Sequence, residues 1–116
     1  MHKYKELEVW KKSIDLGELA YTCTSNFPDS EKFGLTNQIR RSAISVASNI
    51  AEGAGRNGKK EFAQFLGYAY GSSCELETQL ILAEKIGYLN MSDKNMLISL
   101  IDIIQKMIFR LKKSLE

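Results

Sequence analysis

Arg41, Ser45, Ser48 and Glu52 stand at i, i+4, i+7 and i+11, so one line of a helix carries two hydroxyls between a cation and an anion. A serine nucleophile needs a base to activate it, and the single histidine of the chain, His2, lies outside every helical pattern. The same shortage argues against a di-iron centre, which helical bundles build from Glu residues and Glu-x-x-His pairs. Glu75 and Glu77 are two residues apart and face different sides of a helix, which separates them as a general acid and base. Gly53-Ala54-Gly55-Arg56 offers backbone amides to a phosphate, but glycines after an apolar stripe read first as a helix-ending turn. No glycine-rich phosphate loop follows a strand, because no segment alternates as a strand does. The sequence therefore predicts no catalytic residues, no metal site and no cofactor.

Binding is the chemistry that the charges suggest. Arg40, Arg41, Arg56, Lys59 and Lys60 fall within 25 residues and meet Glu52 alone as an opposing charge, which makes them the candidate nucleic-acid contacts. Two arginines near the start of one helix and two lysines in the first turn of the next oppose the helix dipoles, a placement better suited to an external partner than to helix stability. A hairpin turning near Arg56 would set Arg40 and Arg41 opposite Gly71 and Ser72 and one turn from Glu75, so one arginine is expected to pair internally and the other to stay free. Lys106, Arg110, Lys112 and Lys113 form a second cluster, but cations at the end of a helix suit its dipole and are the less informative for that reason.

Four helices must position these residues. Leu7 to about Asn26 carries two apolar stripes, one with Leu7, Trp10, Ile14, Gly17 and Tyr21 and one with Val9, Leu16, Cys23 and Phe27. A second helix, with Thr36 as its expected N-cap, buries Leu35, Ile39, Ala43, Val46, Ile50 and Ala54. Its opposite line has Ser and Asn where a solvent face would have Lys and Glu, so something is expected to pack closely there. The third, about Lys59 to Ile86, buries Phe62, Phe65, Leu66, Ala69, Ser73, Leu76, Leu80 and Ala83. It also carries a separate stripe of Gly67, Gly71, Cys74 and Thr78. Glycine costs up to about 1 kcal/mol against alanine inside a helix, so this stripe predicts a close-packing seam. The fourth is capped by Ser92, with Met91 and Met96 as a hydrophobic staple, and carries Ile98 and Phe109 on one line of its polar face, a candidate subunit contact. Short connections imply an all-α, antiparallel up-down-up-down four-helix bundle.

Length and composition agree with that plan. The 116 residues suffice for one compact domain, 1–116, and 44% hydrophobic with 26% charged residues is ordinary globular composition. A net charge of +2 decides nothing about partners, so position has to. No apolar run approaches the roughly 20 residues of a membrane span, and Met1 to Glu6 lacks the apolar core of a signal peptide. Cys23 and Cys74 read as buried thiols in a reducing cytoplasm.

Taken together, these residues resemble a known family, the four-helix-bundle proteins encoded in intervening sequences of 23S ribosomal RNA genes, which is similar in turn to the accessory variability proteins of diversity-generating retroelements. The resemblance rests on Leu7-Glu8-Val9-Trp10-Lys11, Phe27-Pro28, Gly34-Leu35-Thr36, Gln38-Ile39-Arg40-Arg41-Ser42-Ala43, Ser48-Asn49-Ile50-Ala51-Glu52-Gly53, Arg56, Glu61-Phe62, Phe65-Leu66, Gly71-Ser72 and Glu75-Leu76-Glu77-Thr78-Gln79-Leu80. Ala47 departs from the proline of many relatives, and Asn57-Gly58 from a frequent serine.

The resemblance implies a cytoplasmic, barrel-like homopentamer without enzymatic activity. It implies RNA and a reverse transcriptase as partners through a basic surface. The family pattern marks Arg40, Arg41, Asn49, Glu52, Gly53, Arg56 and Glu75, and assigns most of them, Asn49, Glu52 and Glu75 among them, to holding the fold or the oligomer. Antiparallel register would set Glu52 beside Trp10 and Lys11 as a buried acceptor for the indole N–H. Two functions follow as expectations: an RNA-associated homo-oligomeric scaffold, with Gly67, Gly71, Cys74, Thr78, Ile98 and Phe109 in subunit contacts, or a protein-interaction module without intrinsic nucleic-acid binding.

Overall fold

The computed structural model describes residues 3–116; His2 lies outside the described residues. Helices α1 (Glu8–Thr24), α2 (Leu35–Ala54), α3 (Lys59–Lys85) and α4 (Met91–Ser114) run up, down, up and down, with short 3-10 turns at Tyr4–Glu6 and Asp29–Glu31. Each helix packs on its neighbours in the chain, and α4 closes the square against α1. The bundle is elongated, 43 × 23 × 20 Å.

The core follows from heptad-like spacing. Val9, Leu16 and Ala20 of α1 meet Ile39, Ala43, Val46 and Ile50 of α2, Phe62, Leu66, Ala69, Leu76 and Leu80 of α3, and Leu97, Ile101, Ile104 and Ile108 of α4, all buried. Alanines on α1, α2 and α3 let those helices approach, while the isoleucines and leucines of α4 fill the fourth side. The other expected stripe of α1 is half-open: Ile14 and Tyr21 are exposed.

The caps differ from expectation. Helix α2 begins after Gly34, and the Glu31 carboxylate accepts the Leu35 N–H at 3.0 Å, so the cap comes from the preceding turn. Thr36, the expected cap, already lies within the first turn and is buried. Helix α4 is capped by Asn90, whose side chain accepts the Asp93 N–H at 2.7 Å, and Ser92 is the second helical residue. That shift breaks the proposed staple, and both Met91 and Met96 are exposed. Gly87 ends α3 at φ 91°, with Tyr88 N–H donating to Ala83 C=O at 2.9 Å and Gly87 N–H to Glu84 C=O at 3.1 Å, a Schellman turn.

Candidate nucleic-acid interface

Of the polar line of α2, Ser45 alone meets α3, flanked by Ser42 and Asn49. Ser42 donates to the Glu75 carboxylate at 3.1 Å, the Ser45 and Ser72 hydroxyls share a hydrogen bond of 2.9 Å, and the Asn49 amide donates to both the Ser45 carbonyl and hydroxyl at 2.9 and 3.0 Å. Small hydroxyls are what such a seam requires, since they bond across it without holding the helices apart. It closes at Gly53, where an added Cβ would stand 2.6 Å from Phe65 Cβ and 3.3 Å from the Phe62 carbonyl oxygen. Gly53 thus marks the close approach of α2 and α3 inside the helix, a role its place near a helix end disguised. Ser48 and Glu52 leave the line and are exposed.

The same hydrogen bonds set the register. The facing pairs Ser42 with Glu75 and Ser45 with Ser72 put the midpoint of the turn between Gly58 and Lys59, not at Arg56. Arg40 stands two residues, about 200° round α2, from the α3-facing Ser42 and finds its partners on α1: its Nε donates to Thr24 Oγ1 at 2.9 Å, and its guanidinium lies 4.4 Å from the Tyr21 ring centre. Arg41 stays exposed, with no ion pair among the described residues. It lines a cleft of about 260 Å³ with Gln38, Ser42, Ser45, Glu75 and Gln79.

Arg56 is already engaged. It pairs with Glu52 at 3.0 Å and Glu61 at 3.6 Å, and lies over the Phe65 ring at 4.9 Å. Glu52 accordingly does not serve Trp10. Its carboxylate is exposed toward Arg56 one turn on, while Trp10 packs edge-on against Tyr4 at 5.3 Å. Lys59 and Lys60 are exposed and make no ion pair among the described residues. Arg41 and Arg56 are fifteen residues apart, which along a helix is roughly 20 Å, so the five cations do not make one patch.

Tertiary packing assembles a different group. Antiparallel topology brings the end of α4 beside the start of α3, with Lys112 Nζ 3.6 Å from where a Gly67 Cβ would stand. Arg56, Lys59 and Lys60 at the α2–α3 turn and Lys112 and Lys113 near the end of α4 therefore lie in the same half of the bundle, with Lys112 about two turns of α3 from Lys59. Around them, Lys106 pairs with Asp102 at 2.9 Å and Lys113 with Glu116 at 4.0 Å, both exposed, whereas Arg110 and Lys112 make no ion pair among the described residues.

The expected contact stripes lie on the outside of the chain. Nothing comes within 4 Å of an added Gly71 Cβ, and Cys74 and Thr78 are exposed; α4 only skirts the stripe, with Lys112 beside Gly67 and the Gln105 amide donating to Cys74 Sγ at 3.8 Å. Cys74 is thus not a buried thiol, and Cys23 is only half-buried. Ile98 and Phe109 do not share one surface: Ile98 packs against the core, whereas Phe109 is 60% exposed. A straight line on α4 is crossed at an angle by its neighbours, so one end is covered and the other is not. A more continuous apolar surface lies between α1 and α2, a groove of about 330 Å³ with Ile14, Gly17, Tyr21, Ile44 and Ala47 in its walls.

No group of three or more His, Cys, Asp or Glu side chains among the described residues is placed to hold a metal ion, and no helix is long and apolar enough to cross a membrane.

Fold and surface define an all-α antiparallel four-helix bundle whose α2–α3 turn and α4 C-terminus carry exposed cations in the same half of the molecule. The model of the 23S rRNA-intervening sequence proteins matches residues 5–110, and the chain belongs to that family. Among solved structures it is similar to a protein of unknown function from Bacteroides thetaiotaomicron, described as of the S23 ribosomal protein family. The TM-score is 0.81 at 23% identity, over 90% of this chain and 98% of that one, a likeness of fold. No curated protein matches the chain.

Proposed function

We propose that this protein is a non-enzymatic, cytoplasmic homo-oligomer that associates with RNA through cations in one half of its bundle. The observation that carries the reading is the set of exposed cations without carboxylate partners among the described residues, Lys59 and Lys60 from the α2–α3 turn and Lys112 from α4, brought into the same half by the fold. Membership in a family named for intervening sequences of 23S rRNA supports RNA as the polyanion. The resemblance implies a pentamer, and the apolar groove between α1 and α2 is the surface best suited to the subunit contact. A ring repeats a weak basic patch once per subunit, and avidity then exceeds the affinity of one patch by about 10²-fold or more.

Counterion release supplies the test. On single strands the log–log slope of affinity against salt is about −0.7 for each phosphate neutralised. Replacing Lys59 and Lys60 with Gln should flatten that slope while leaving helicity and mass unchanged. Binding that is absent even at low salt would instead favour the second reading, an adaptor for another polypeptide such as a reverse transcriptase. That reading is supported by the engagement of Arg40 and Arg56 within the chain.

A further inference from the structure

From the surface between α3 and α4 we infer that the nucleic acid is taken as a single strand, with bases stacked on Phe109 and Tyr70; the inference rests on the RNA-association reading above. Two adjoining hollows, of about 480 and 290 Å³, run along this surface, and both rings line both of them. Phe109 is 60% and Tyr70 41% exposed, so each offers a ring that the core does not use. Arg110 borders the first hollow beside Lys106, which is paired with Asp102 of the same wall, and Lys112 borders the second, so Arg110 and Lys112 are the cations left for phosphate.

Aromatic faces interleaved with cations are what an unpaired strand requires, since each base has a face to stack and each phosphate a charge to neutralise. A duplex hides its base faces and would meet only the cations. An exclusively apolar partner is the poorer fit, because docking would bury Arg110 and Lys112 without counter-charges. Gly67 fits the same picture. Without a side chain it leaves the floor of the second hollow open beside Lys112. Lys112, beside Gly67 on α3, stands about two helical turns from Lys59 and Lys60, so the second hollow opens toward the start of α3.

The test uses the intact protein with labelled oligouridine and an RNA duplex of equal length. Phe109→Ala should weaken oligouridine binding by about tenfold and leave its salt slope unchanged, while duplex binding changes little. Arg110→Gln and Lys112→Gln should each flatten the slope by about 0.7. Gly67→Leu should block the single strand without loss of helicity, and Tyr70→Phe, which keeps a ring, should bind as the unaltered protein does. Equal affinity of Phe109→Ala and the unaltered protein for oligouridine would overturn the inference. So would a fall in oligomer mass on that substitution, which would make the surface a subunit contact. If Lys59→Gln and Lys60→Gln still weaken RNA binding in that case, the RNA-association reading stands and only the stacking surface is lost. If no RNA binds at any salt, both fail.

Discussion

Gly53 and Gly71 are the same residue type on adjacent helices with opposite consequences. An alanine at Gly53 would drive its Cβ into Phe65 and the α3 backbone, and overpacking of this kind costs about 1–3 kcal/mol. An alanine at Gly71 meets nothing within 4 Å and gains helix propensity, up to about 1 kcal/mol. Urea denaturation of the two variants should therefore shift in opposite directions. If Gly71→Ala also lowers the oligomer mass, its stripe is a subunit seam. The thiols divide in a similar way. Burial, and after it the nearby Asp93 carboxylate, hold the Cys23 thiol above its ordinary pKa, so less of it is thiolate at neutral pH. Cys74 is exposed. Maleimide should label Cys74 first near pH 7, and Cys23 should catch up as the pH is raised; equal rates at both positions near neutrality would contradict the placement.

At the scale of elements, helix ends carry more information than helix interiors. Asn90 caps α4 through its own side chain and sits at the close of the Gly87 turn, so Asn90→Ala should cost about 1 kcal/mol. Ser92→Ala should be nearly neutral, because its hydroxyl takes no part in the cap. Thermal melts of the pair distinguish the two assignments directly. Glu31 plays the corresponding part for α2, and its other carboxylate oxygen accepts the Tyr88 hydroxyl at 3.3 Å. One side chain thus ties the α1–α2 connection to the α3–α4 connection, and Glu31→Gln should loosen both, seen as faster amide exchange at Leu35.

For the whole molecule, the proposed assembly is expected to use the exposed apolar surface between α1 and α2. Ile14, Tyr21 and Ile44 are each nearly half exposed on one groove, and among the described residues only the Tyr21 ring has a partner there, the Arg40 guanidinium. Light scattering at micromolar concentration should report a multiple of the 13.1 kDa chain, five under the pentamer reading. Ile44→Asp should return the mass toward that of one chain while circular dichroism stays helical. A monomer mass for the unaltered protein would sink the oligomer.

Helix number, order and most core positions were legible in the sequence because a helix obeys a local period: Ile39, Ala43, Val46 and Ile50 announce their burial by spacing alone, whereas Phe65, expected in the core, is half-buried against Arg56 and Tyr68. The close packing expected against Ser45 was legible too, since small hydroxyls are a poor solvent face. The partners of each cation were not. Which face of α2 meets α1 and which meets α3 sends Arg40 to Thr24 and leaves Arg41 without an ion pair among the described residues, and that choice is set by the jigsaw of Gly53 against Phe65 rather than by any local preference. The placement of the cations was hidden for the same reason. Lys60 and Lys112 are far apart in sequence, and only the antiparallel return of α4 along α3 brings them into the same half of the bundle.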